Sequence, residues 1–146
     1  NILNRLEKEN ILKFSIEGKN KYYFLNRFNP SIMEILKIIE INRKMSFLEK
    51  YKKFSGLFKE IENRTSGLCI LFGSYSKGTS HEKSDFDIFI IGKISSLDDL
   101  EDTYNIKINI VKSDKNKFNK EETFIKEVIK NHIILKGADE FIDLIW

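Results

Sequence analysis

The chain has 146 residues, 41% of them hydrophobic and 32% charged, with a formal net charge of +3. That composition predicts a chain that folds and stays soluble, and the length suits one ordinary domain or a small domain with an appendage. The charges are mixed in sign, as on a solvated surface, and so mild a basic excess does not by itself call for a nucleic-acid partner.

A single cysteine, Cys69, excludes a disulfide framework and a cysteine zinc site and fits a reducing cytoplasm. No apolar run is long enough to span a bilayer, and no membrane role is expected. The first residues carry no signal-peptide pattern, and the chain opens on Asn1 rather than Met, as an excerpt would.

Taken in chain order, residues 1–9 predict a short helix with Leu3 and Leu6 on one side. Residues 13–25, KFSIEGKNKYYFL, predict a hairpin: Phe14 and Ile16 alternate with polar neighbours, and the tip surrounds Gly18. Pro30 precedes a helix over 31–43 whose Ile32, Ile35, Leu36, Ile38 and Ile39 suit burial or self-association. Ser46, with Glu49 three residues on, predicts a capping box for a second helix. There Phe47, Tyr51, Phe54, Phe58 and Ile61 share one face, and Gly67 ends the helical region.

Three strands are predicted next, at 68–72, 86–91 and 106–111. Between the first two lies a turn into a helix start at 73–78. Between the last two lies a short acidic helix at 95–102 with Ser95 or Ser96 as cap. A helix over 121–135 carries Ile125, Val128, Ile129, His132 and Ile133 on one face; Gly137 stops it, and 138–146 forms a short final helix. The alternation of helices and strands from about residue 46 onward indicates an α/β domain.

The chemistry concentrates in residues 71–91, LFGSYSKGTSHEKSDFDIFII. Gly73 and Ser74 leave a strand for a turn, where a glycine lets an anion approach the backbone and a hydroxyl adds a donor. Lys77 is near enough in sequence to add a positive charge, and Gly78 lets the chain turn again. Asp85 and Asp87 lie two apart on a strand, so both point to one face, with Cα atoms roughly 6.6 Å apart. Two carboxylates so placed can share Mg²⁺ (or Mn²⁺), with phosphate oxygens and water completing its shell. Phe86 and Ile88 point the other way, and Ser84 shapes the entry to the strand. A Gly-Ser turn or an Asp-x-Asp pair alone would be an ordinary turn or strand end; together they suit a nucleoside triphosphate held with a metal.

GSYSKGTSHEKSDFDI resembles the signature of the DNA polymerase beta-type nucleotidyltransferase superfamily, particularly its minimal branch. The matching positions are Gly73, Ser74, Asp85 and Asp87; the likeness covers roughly residues 46–146 and is sharp only in 72–91. It implies a mixed sheet flanked by helices and transfer of a nucleoside monophosphate from an NTP to a protein, nucleic-acid or small-molecule acceptor. Small members often act as antitoxins that nucleotidylate a helical toxin. The family usually draws a third carboxylate from a later strand. Here that strand is IKINIV, and its inward position is most simply Asn109, which offers a metal only a neutral oxygen and is no useful base. Asp114, just beyond the strand, is the possible substitute. The alternative function is therefore a catalytically impaired nucleotide-binding or DNA-binding regulator.

Residues 1–29 resemble part of a winged helix, the end of a recognition helix followed by its wing. Arg5 and Lys8, with Lys13, Lys19 and Lys21, would then meet DNA phosphates; otherwise the segment is a packing hairpin with solvated lysines. Residues 30–45 would connect it to the nucleotidyltransferase-like domain at 46–146 or form a homodimer helix. His81 reads as a solvated loop residue, His132 as a core or rim histidine, Cys69 as a small buried hydrophobe, and the acidic run at 98–102 as a helix start rather than a metal site.

Overall fold

The computed structural model describes all 146 residues, which form two units, 1–38 and 39–146. In the first, helix α1 (Ile2–Lys8) is capped by Asn1, whose Oδ1 accepts from Leu3 N at 3.0 Å. Strands β1 (Leu12–Glu17) and β2 (Asn20–Leu25) form the expected antiparallel hairpin, from Leu12 opposite Leu25 to Glu17 opposite Asn20. Asn26, almost fully buried, donates through Nδ2 to the Asn10 carbonyl at 2.9 Å, so its burial leaves no orphaned amide.

The second unit is built on a four-stranded sheet in the order β5-β4-β3-β6. Its strands are β3 (Thr65–Phe72), β4 (Phe86–Ile94), β5 (Ile108–Ser113) and β6 (Ile133–Lys136). β4 and β5 run parallel, joined across α5 (Asp98–Tyr104), while β3 pairs antiparallel with both β4 and β6. Alternation along β3 and β4 sends side chains to two cores. Cys69, Leu71, Phe86, Ile88 and Ile90 pack with Leu57, Phe58 and Ile61 of α3 (Ser55–Arg64). Leu68, Ile70, Phe89 and Ile91 pack with Ile125 and Val128 of α6 (Thr123–Lys130) and Phe141 of α7 (Ala138–Ile145). Cys69 is buried as expected, and that burial pushes its thiol up to about 12. No helix is long and apolar enough to cross a membrane.

Several elements differ from the sequence expectation. Helix α2 runs unbroken over Ile32–Lys50, so Ser46 lies inside it and caps nothing. The stretch from Ile41 to Lys50 contains neither Gly nor Pro to break it. The aromatic face then continues through a 3₁₀ turn at Lys52–Phe54 into α3. Contacts part the units after Ile38, inside α2, and Ile38, Ile39 and Ile41 are exposed rather than buried.

Gly67 does not end a helix: it sits in β3 opposite Gly92, both with positive φ (99° and 137°). A Cβ on either would strike backbone of the facing strand. α5 begins three residues later than expected, at Asp98, with Ser96 Oγ accepting from Asp98 N at 3.3 Å. β5 likewise begins at Ile108 rather than 106.

The largest departure is β6. The predicted helix over 121–135 stops at Lys130, and Ile133, Ile134 and Leu135 are all buried in a strand. A short apolar run reads equally as helix face or buried strand; pairing with β3 decides it.

Candidate active site

Strand register builds the site. Phe86, Ile88 and Ile90 face one core, so Asp85 and Asp87 share the opposite face with Phe89 and Ile91. β5 lies parallel to β4 with Asn109 directly opposite Asp87. Phe86 N donates to the Lys107 carbonyl at 2.8 Å, and Ile108 N donates to Glu101 Oε1 at 2.6 Å, holding that register. Asn109 Nδ2 then donates to both Asp85 Oδ2 (3.1 Å) and Asp87 Oδ1 (2.9 Å). The two half-buried carboxylates thus have a shared amide partner, which offsets part of their desolvation.

β3 delivers Gly73 to the same place, since its last residue, Phe72, pairs with Asp87. Gly73 has φ 75°, and a methyl group there would run into the Asp87 carboxylate. Glycine is therefore required twice, by its conformation and by the approach of Asp87. It opens the five-residue helix α4 (Gly73–Lys77), with the half-buried Ser74 in its first turn and Gly78 as left-handed cap.

Two features anchor α4. Tyr75 is buried against Tyr51 and Phe54, with ring centroids 5.5 and 5.2 Å away. Ser76 Oγ lies 2.9 Å from the Gly73 carbonyl and 3.0 Å from the Asn131 carbonyl. The Ser76–Asn131 contact joins positions 55 apart, so no local sequence signal marks it.

The remaining expected residues are placed as follows. Ser84 Oγ accepts from His81 N at 2.8 Å, and Ser84 N donates to the His81 carbonyl at 2.9 Å, closing the loop before β4. Lys77 Nζ lies 3.0 Å from Glu127 Oε2, and this cation holds the Glu127 carboxyl below its ordinary value. Asp114 caps the turn at Lys115–Lys117, accepting from Asn116 N and Lys117 N. It stands five residues beyond Asn109, roughly 17 Å along an extended chain, and does not supply a third carboxylate. In the first unit, Lys21 is bound to Glu7 at 2.7 Å and lies over the Phe14 ring. Lys13 lies over Phe28, while Lys19 sits at the hairpin turn.

The donor set suits a divalent cation in part. Asp85 and Asp87 would hold it, with Asn109 presenting Oδ1 once its amide turns over. No His, Cys, Asp or Glu joins the pair to make a cluster of three. Such an ion would supply charge neutralisation at phosphate oxygens.

The chain matches the family described as Polymerase beta, Nucleotidyltransferase over residues 58–141, a span that contains Gly73, Ser74, Asp85, Asp87 and Asn109. No curated protein gives a significant match. Among solved structures, a toxin-antitoxin with AMP-PNP is similar at 22% identity and TM-score 0.43, covering 64% of this chain and 82% of that one. A mutant of the toxin-antitoxin MntA-HpeT is similar at 19% identity and TM-score 0.41, with the same coverage. With the family match spanning more than half of its length, from α3 to α7, the chain belongs to the polymerase beta-type nucleotidyltransferase family.

Proposed function

We propose that the chain binds an NTP with Mg²⁺ (or Mn²⁺) at the Asp85–Asp87 edge and transfers its nucleoside monophosphate to a protein acceptor, in the manner of an antitoxin. The observation that carries this is the convergence of Gly73, Asp85, Asp87 and Asn109 at one strand edge. The antitoxin role and protein acceptor rest on the likeness of the Gly-Ser and Asp-x-Asp motifs to the minimal branch of the family.

In this scheme the Ser74 hydroxyl donates to a phosphate oxygen, and Gly73 keeps backbone and carboxylate close. An acceptor hydroxyl oxygen bonds to the α-phosphorus while the bond to the bridging oxygen of the β-phosphate breaks, and pyrophosphate leaves. Asn109 cannot take the acceptor's proton, so Asp85, Asp87 or solvent receives it.

Asn109 also favours a second reading, a regulator that binds NTP without transferring it. DNA contact through Lys13, Lys19 and Lys21 would belong to that reading, with Lys21 exchanging its partly exposed Glu7 partner for phosphate. Labelled ATP, GTP, CTP and UTP, incubated with the protein and cell extract, separate the two. The transferase labels an acceptor, and the label vanishes in Asp87→Asn; the regulator binds NTP and labels nothing. Calorimetry showing no NTP affinity with ample Mg²⁺ would overturn both.

A further inference from the structure

A concave site adjoins α4, apart from the carboxylates. It is a cleft of about 670 Å³ lined by α2, α4 and the junction of α6 with β6, and it includes none of Gly73, Ser74, Asp85, Asp87 or Asn109. Its walls carry Arg43, Lys50, Lys77 and Lys130, and no carboxylate lines it. All four cations are exposed residues, drawn from three separate helices of a chain whose net charge is only +3. Glu127, just off the cleft, offsets Lys77. Lys50 forms no ion pair and rests over the Tyr51 ring at 5.2 Å. With Glu127 against Lys77 and Glu40 against His132, a local excess of positive charge remains, and such an excess attracts anions.

The floor is ordered. The His132 side chain is 4% exposed, and its Nδ1 lies 2.8 Å from the Ile129 carbonyl, where it can only donate. Nε2 lies 2.9 Å from Glu40 Oε2 and 3.3 Å from Arg43 Nη1. Nε2 can serve only one of these two partners, donating to Glu40 or accepting from Arg43, and either way the Arg43 guanidinium lies beside the His132 ring at the wall. Guanidinium and ammonium groups around one hollow match phosphate oxygens, and the volume falls within the range of small-molecule sites.

We propose that this cleft binds a phosphorylated small molecule, either a nucleoside polyphosphate or free polyphosphate, without a metal and independently of the Asp85–Asp87 edge. The test is calorimetry on the full chain in EDTA, with inorganic tripolyphosphate, ATP and AMP as probes. Tripolyphosphate and ATP should bind and weaken with added salt. Affinity should fall at least tenfold in the double variant Lys50→Ala/Lys130→Ala and persist in Asp85→Asn/Asp87→Asn. ATP binding at least threefold tighter than tripolyphosphate assigns the ligand as a nucleotide, and equal affinities assign it as polyphosphate. Absence of binding to the folded wild-type chain in EDTA overturns the proposal, as does binding unchanged by the lysine substitutions. Lys50→Gln/Lys130→Gln provides the same test should the alanine variant fold poorly. Because no metal is present and the aspartates can be neutralised, the outcome is separable from that of Mg²⁺–NTP binding.

Discussion

The carboxylate edge and the basic cleft both draw on α4, yet they are built by different means. At the edge, two adjacent strands hold Asp85, Asp87 and Asn109 in register, and a one-residue slip would send the carboxylates into the opposite core. In the cleft, cations come from three helices, and Arg43 lies beside a buried histidine. The first arrangement gives fixed, close-packed polar groups. The second gives long side chains around a hollow, suited to anions of varied shape. The run GSYSK serves both, with Gly73 against Asp87 and Lys77 in the cleft wall.

Asp87→Ala should separate the two regions most sharply. On the proposed function, NMP transfer, measured with labelled NTP, should fall by about 100-fold or more, because the ion and phosphates would lose a charged ligand. An equal loss of transfer in Lys130→Ala would break the division between edge and cleft.

Next in size is Gly73→Ala, which combines a left-handed φ with collision against Asp87; it should cost roughly 1–3 kcal/mol in urea unfolding. Gly78→Ala is the natural control. Its φ of 73° is similar but its surroundings are open, so it should cost about 1 kcal/mol. Equal costs at the two positions would mean that the Asp87 approach adds nothing.

Asn109→Asp places three carboxylates at the edge. It should tighten Mg²⁺ binding by about tenfold, equivalent to ~1.4 kcal/mol, seen as a larger rise in Tm on adding MgCl₂ than for wild type. A Tm response to Mg²⁺ identical to wild type would show that position 109 does not face the ion.

The smallest effect belongs to Glu127→Gln. Lys77 lowers the folded-state value of the Glu127 carboxyl below its ordinary 4.5. The pair therefore contributes above the ordinary value, and that contribution disappears as pH falls through the lowered one. Both groups are exposed, so the wild-type curve of Tm against pH from 3 to 6 should be only slightly steeper than that of the variant. Superimposable curves would show that the contact adds no stability.

Legibility followed the range of the interactions. The Asp-x-Asp pair, the Gly-Ser turn and the strands β3, β4 and β5 were readable because each rests on local periodicity or on backbone demands within a few residues. Asn109 was legible as the inward position of its strand, but its bridge between two carboxylates needed the parallel register of β4 and β5. Lys77 was legible as a cation near the turn; its pairing with Glu127 on α6 was not. β6 was hidden because Ile133, Ile134 and Leu135 satisfy a helical stripe as well as a buried strand, and only β3 as a neighbour distinguishes them.

By itself, then, the sequence determined a carboxylate-bearing strand after a glycine turn in an α/β domain, since alternation of polar and apolar residues dictates which side chains face a core. Tertiary structure decided the amide bridge at Asn109, the fourth strand and the basic cleft. These depend on which distant segments meet, and a meeting of residues 43, 50, 77 and 130 leaves no periodic trace in the chain.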